Sequence, residues 1–158
     1  MTHPPSSFAD WQDYPSKLDP IHIAWLKNAK KSSTAFAVAD IEGVEISHKR
    51  FLTGVLLFSK KIAAYSPEQN VGLLLPSSGG GAIASMAILA LGKTIVNLNF
   101  TAGKKALKSA AEQAEVKNIY TSRKFLDKMA ERGMNLESFF PNSKLHMLED
   151  IKEEISTL

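Results

Sequence analysis

Three groups of residues in this chain have types and spacings that can do chemistry. The first is Ser77–Gly81, SSGGG, entered through Pro76. A glycine-rich turn between a strand and a helix presents backbone N–H groups to a phosphate. No lysine follows these glycines in register, so GxxxxGK[ST] is absent, and so is GxGxxG. The same glycines equally serve a tight turn that feeds a closely packed helix. The second group is Asn97, Asn99 and Thr101, at the polar end of a β-rich run. Ligands of open α/β sheets bind outside the carboxyl ends of the strands. Asn and Thr there also bond to local backbone as turn and cap residues. The third group is Lys104, Lys105 and Lys108, a basic helix face that reads as solvated, with docking of an acidic partner as the alternative.

Other chemistries are excluded or unsupported. Ser47-His48 reads as a helix cap beside a surface histidine: adjacent side chains diverge, and no acid is placed to orient the imidazole. His3, His22, His48 and His146 are scattered, without metal spacing, and no carboxylate pair is set for acid–base work. The absence of cysteine excludes disulfides and thiol chemistry and fits an intracellular protein. A net charge of +3 with 22% charged residues describes a solvated surface, so no nucleic-acid partner is expected. No charged-then-apolar leader opens the chain. Gly92 and Lys93 interrupt the longest apolar stretch, which falls short of the about 20 residues of a membrane span, so the chain is expected to be soluble.

The elements that must position these residues follow from periodicity. Val71–Thr101 organises the chain: an apolar run Val71–Leu75, the turn Pro76–Gly81, an apolar segment Ala82–Leu91, the break at Gly92-Lys93, and a second run Thr94–Leu98. This predicts strand, loop, buried helix, turn and strand, a right-handed βαβ unit of a parallel sheet. Strand-like runs start at residues 71, 94, 117 and 144, with spacings of 23, 23 and 27, and one helix candidate fills each gap. Lys104–Ala114 sets Leu107, Ala110, Ala111 and Ala114 on one face; Ser122–Arg132 sets Phe125, Leu126, Met129 and Ala130 on one face and ends at Gly133. Glu149–Ser156 is a last helix.

Upstream, Met1–Lys17 is rich in Pro and Ser and reads as a surface arm. Asp19-Pro20 is a cap followed by a first-turn proline, opening a helix Asp19–Ala29 with Ile21, Ala24, Trp25 and Ala29 on its apolar face. Ala35–Asp40 and Val44–Ile46 flank Glu42-Gly43 as a short hairpin, and Ser47 caps a helix running to about Tyr65 with the stripe Phe51, Leu52, Val55, Phe58 and Ile62. The expected fold is therefore α/β, three-layer α/β/α with a mostly parallel sheet, preceded by an N-terminal helix and a short β-hairpin. Residues 1–33 form the arm and helix, and 34–158 the α/β unit.

The words of the sequence add a resemblance. Glu45–Leu52, EISHKRFL, resembles the early "lty-x-el" segment of the adenylate-forming, acyl-activating enzymes. Val71–Pro76 followed by Ala82–Phe100 resembles their "vgl-lpn…ail-al-Gk-ivnln" segment. Asn99–Lys128, NFTAGKKALKSAAEQAEVKNIYTSRKFLDK, is similar to one branch, the synthetase part of bacterial bifunctional acyl-[acyl-carrier-protein] synthetase / 2-acylglycerophosphoethanolamine acyltransferases. The resemblance runs from about Ala35 to Ile151. It implies an enzyme that makes an acyl-adenylate from a fatty acid and ATP with magnesium, then passes the acyl group to the thiol of acyl carrier protein or coenzyme A and on to a lysophospholipid. It also implies a home in the cytoplasm or on the cytoplasmic face of the inner membrane.

The family's phosphate-gripping loop TSG[ST]TGxPKG, its later acidic motif and its C-terminal lysine are missing from these 158 residues. No catalytic, cofactor-binding or metal-binding residue is therefore carried over, and the chain resembles an N-terminal portion on which the rest of a longer enzyme packs. Pro76, Ser77, Ser78, Asn97, Asn99 and Thr101 are expected to form a wall of the substrate cleft. Two other functions compete: a free-standing phosphate- or nucleotide-binding module using the glycine loop, and a non-catalytic interaction domain.

Overall fold

The computed structural model describes residues 19–40 and 43–156. The expected arm Met1–Lys17 and Glu42 of the hairpin turn lie outside the described residues. The order of elements is α1 (Ile21–Ala29), β1 (Phe36–Ala39), β2 (Glu45–Ser47), α2 (His48–Tyr65), β3 (Asn70–Leu73), α3 (Gly79–Ala90), β4 (Thr94–Asn97), α4 (Gly103–Gln113), β5 (Asn118–Thr121), α5 (Arg123–Glu131), β6 (Lys144–Met147) and α6 (Leu148–Ser156). β1 and β2 pair antiparallel as a separate two-stranded ribbon. The other four strands form one parallel sheet in the order β4, β3, β5, β6.

This order carries a physical consequence. The step from β3 to β4 moves one way along the sheet, and the step from β4 to β5 returns across β3. Right-handed crossovers then place α3 on one face and α4 with α5 on the other. The two apolar cores agree. One joins Phe51, Val55 and Ile62 of α2, Ala84, Ala87 and Ile88 of α3, and Ile151 of α6 against Val71 and Leu73. The other joins Leu107 and Ala111 of α4 with Phe125, Leu126 and Met129 of α5 against Leu74 and Ile119. The result is the expected three-layer α/β/α unit with its N-terminal helix and hairpin. Each fully buried aliphatic side chain, such as Ile62, Leu74, Ile88 or Ile119, contributes about 1.5–3 kcal/mol.

Serine caps set the starts of α2, α3 and α5. Ser47 accepts from Arg50 N and Ser122 from Phe125 N, so both helices begin where the hydroxyl can fold back. Three expectations are corrected. Asp19 does not cap α1: its carboxylate pairs with Lys27 Nζ at 2.6 Å, and Pro20 is the N-cap. The apolar face of α1 is also rotated, since Ile21 and Ala24 are exposed while Trp25, Leu26 and Ala29 turn inward. Finally, α3 begins three residues earlier than its apolar run, so Gly79–Gly81 are its first turn and not a loop.

Trp25 anchors α1: its ring meets Phe51 edge-on, with centroids 5.1 Å apart, and its indole N–H donates to His48 Nδ1 at 3.1 Å. Ser47 and His48 are thus a cap and a packing residue.

Candidate functional site

The carboxyl edge of the sheet is built from the segments that leave β3, β4 and β5. The topological reversal lies between β3 and β5, where an open α/β sheet leaves a crevice. Here that crevice is closed. Thr121 Oγ1 donates to Leu74 O at 2.8 Å across it. The start of α6 packs over it: a Cβ placed on Gly80 would meet Leu148 Cδ1 at 3.4 Å. Glu149 accepts from Arg123 N at 3.0 Å and from Lys124 N at 3.4 Å, so its carboxylate caps α5.

What stays open is a cleft of about 590 Å³ displaced towards β4 and roofed by the hairpin. Val38, Ala39 and Asp40 form one wall; Ser78, Gly81, Ala82 and Ser85 of the α3 start form the other; Leu73, Leu75, Pro76, Ser77 and Asn97 complete it at the sheet edge. Its lining is aliphatic apart from the hydroxyls of Ser77, Ser78 and Ser85, the amide of Asn97 and the carboxylate of Asp40. A second hollow of about 310 Å³ lies at the opposite end of the sheet, between α4 and the segment before β6.

The six residues read from sequence as a cleft wall divide. Pro76, Ser77, Ser78 and Asn97 line the cleft. Asn99 and Thr101 do not: Asn99 Oδ1 accepts from Thr101 N at 3.1 Å and from Thr101 Oγ1 at 2.8 Å, capping the short 3-10 turn Phe100–Ala102. Of the three lysines, Lys104 stands 5.1 Å above the Phe139 ring and Lys108 pairs with Glu112 at 3.7 Å, both within the chain.

Two of the three glycines sit where a side chain would be crowded. A Cβ on Gly79 would meet Ile46 Cδ1 at 3.0 Å, and one on Gly81 would meet Pro76 O and Ser78 Oγ at 3.2 Å. The hairpin, α6 and the β3 exit all come down onto these three residues. Three backbone donors at the start of α3 are also used inside the chain. Gly79 N donates to Asp40 Oδ2, Gly81 N to Ser78 Oγ, and Ala82 N to Ser78 O. A carboxylate thus sits where a phosphate oxygen would be held.

Asp40 was not among the residues singled out from sequence. Its signal was local: an acid at the end of a strand, three residues before Gly43, which has φ +77°.

A polar cluster lies inside the molecule, away from the cleft. His146 is stacked between Tyr65 and Tyr120, with centroids 5.2 and 5.0 Å away. Asn118 Nδ2 donates to Glu68 Oε1, so Asn118 Oδ1 is the acceptor for His146 Nε2 at 2.7 Å, and the neutral imidazole carries its proton on Nε2. Tyr120 and Ser66 share a hydrogen bond of 2.9 Å. Burial pushes the Tyr120 phenol up to about 12 and holds His146 below its ordinary value, Lys144 adding to the latter. Glu154 takes hydrogen bonds from Lys61 and Tyr65, which hold its carboxyl below the usual range. Among the described residues no group of His, Asp or Glu is arranged to hold a metal ion.

No family model matches the chain. Its fold recurs in solved structures. VinN superposes with a TM-score of 0.71 at 13% identity, over 88% of this chain and 36% of VinN. AB3403, a four-domain nonribosomal peptide synthetase bound to AMP and glycine, gives 0.66 at 19% identity, over 88% of this chain and 10% of the synthetase. O-succinylbenzoate coenzyme A synthetase from Bacillus subtilis, in complex with ATP and a magnesium ion, gives 0.64 at 15% identity, over 80% and 25%. The shared feature is the fold. The chain spans between 10% and 36% of the length of these three proteins. Among the described residues, no helix is long and apolar enough to cross a membrane.

Proposed function

We propose that this chain is the N-terminal α/β part, residues 34–158 behind an arm at 1–33, of an adenylate-forming acid–thiol ligase. The observation that carries the reading is the superposition of 88% of the chain on a minor part of VinN and of a nonribosomal peptide synthetase. Two of the matched synthetases hold AMP, or ATP with magnesium. The resemblance of Asn99–Lys128 supports the narrower reading: a fatty-acid-activating synthetase that loads acyl carrier protein and feeds acyl chains to a lysophospholipid, acting in the cytoplasm or at the cytoplasmic face of the inner membrane. ATP and magnesium belong to the complete enzyme.

This chain's own residues supply a rigid wall. Pro76, Ser77, Ser78 and Asn97 face the cleft, and the sheet behind them fixes their spacing. The resemblance assigns the groups that stabilise charge at the phosphorus centre to motifs missing from these 158 residues, so adenylate formation needs donors from elsewhere. The use of the α3 donors by Asp40 and Ser78 speaks against the free-standing phosphate-binding module.

The test is acyl-thioester formation by the complete gene product, with acyl carrier protein and coenzyme A compared as acceptors. Faster loading of the carrier protein is expected. A strong preference for coenzyme A keeps the ligase class and removes the carrier-protein branch.

A further inference from the structure

Asp40, in the hairpin wall of the cleft, bonds to both walls. Its Oδ1 accepts from Val44 N at 3.1 Å and closes the hairpin turn. Its Oδ2 accepts from Gly79 N at 3.1 Å, at the first residue of α3. One carboxylate thus joins Val38 and Ala39 on the hairpin side to Ser78, Gly81 and Ser85 on the helix side. A two-stranded ribbon is marginal by itself, so β1 and β2 keep their place by docking. The docking is close, since a Cβ on Gly79 would stand 3.0 Å from Ile46 Cδ1. The carboxylate also meets the positive end of α3, where an anion is favoured. The pattern recurs at the same sheet edge, where Glu149 takes the first N–H groups of α5.

We propose that Asp40 is the positioning residue of the cleft and its anion filter. It holds the hairpin wall against α3. It also occupies, with its own oxygen, the N–H-lined place a phosphate would need, so the ligand group lying beside the α3 start is uncharged. The docking follows from the geometry alone. The selectivity for a substrate rests on the reading of the cleft as a substrate wall.

The test uses the 158-residue chain, Asp40→Ala and Asp40→Asn, followed by amide exchange and by amide shifts during titration with inorganic phosphate. Sodium chloride at equal ionic strength is the control. Asp40→Asn keeps the side-chain size and removes the charge and one acceptor oxygen. In the native chain, phosphate is expected to move the Gly79–Gly81 amides no more than chloride does. In Asp40→Ala, exchange at Val44 and Gly79 should rise on the order of tenfold or more while the amides of β3 and β5 stay protected. Phosphate should then shift Gly79–Gly81 saturably. Asp40→Asn should show the phosphate response with a smaller rise in exchange, and it carries the test if Asp40→Ala fails to fold.

A saturable phosphate response in the native chain overturns the filter, as does its absence in both variants. Unchanged exchange in both variants overturns the positioning role. These readouts involve neither ATP nor an acyl group, so failure of the ligase reading would leave them unchanged and would appear only in assays of the complete gene product.

Discussion

His146 shows how far a single side chain can be read. Its place on a β-rich run marks it as half inward, and the sequence shows no more than a scattered histidine. Its environment comes from Tyr65, Glu68, Asn118 and Tyr120, all at least 26 positions away in the chain. The consequence is a pH dependence with a defined sign. The folded value lies below the ordinary 6.5, so in the interval beneath 6.5 the unfolded chain takes a proton that the folded chain refuses. Stability is complete above that value and falls as pH drops through the window. Lys144 acts in the same direction as burial, while Glu68 and Glu154 oppose them. Glu154, held below 4.5, stays ionised through the window. The melting temperature should drop by a few degrees between about pH 7.5 and about pH 5, and His146→Phe should flatten that drop. Equal drops in both proteins would contradict this.

The serine cap at 47 was legible at this scale because a cap is a local bond. Asp40 was not, because one of its partners lies 39 positions away.

At the scale of elements, the four parallel strands and the helices between them were legible from apolar runs and periodicity, with ends moved by one or two residues. The start of α3 was not. Glycine in a helix costs about 1 kcal/mol relative to alanine, so three in a row argue locally for a loop. Tertiary contact overrides that preference at Gly79, where Ile46 Cδ1 would stand 3.0 Å from an added Cβ, and at Gly81, where Pro76 O and Ser78 Oγ would stand 3.2 Å from one. The burial expected of the middle of this helix is observed: Ala84 and Ala87 have no exposed surface. Ala87→Leu should therefore destabilise by about 1–3 kcal/mol through overpacking, read by urea denaturation. A neutral result would mean that α2 and the sheet leave room beside α3. Gly103 turns the 3-10 segment into α4 at φ 80° and ψ 162°, a region of the backbone map that is essentially confined to glycine. Gly103→Ala should cost about 1–3 kcal/mol in the same assay, although no neighbour lies within 4 Å of the added carbon. An unchanged midpoint would show that the turn relaxes freely.

For the whole molecule, the order β4, β3, β5, β6 sorts the helices to two faces and puts a reversal beneath the carboxyl edge. Sequence reasoning placed ligands at that edge. The cleft is there, but moved towards β4, because α6 closes the reversal itself with Leu148 and Glu149. Such closure depends on where a distant helix comes to rest, which periodicity cannot report.

On the proposed function the chain is a wall for a reaction whose charge-stabilising groups lie elsewhere. Mg-ATP titrated calorimetrically into the 158-residue chain should give no tight stoichiometric binding; a stoichiometric isotherm would restore the phosphate-binding module.

The most direct measurement is fatty-acid-dependent exchange of labelled pyrophosphate into ATP, made on this chain and on the complete gene product. Adenylate formation needs aligned donors and a metal ion at the phosphorus centre. The complete product should catalyse the exchange and the 158-residue chain should not. Exchange by the 158-residue chain alone, or none by the complete product, would contradict the account.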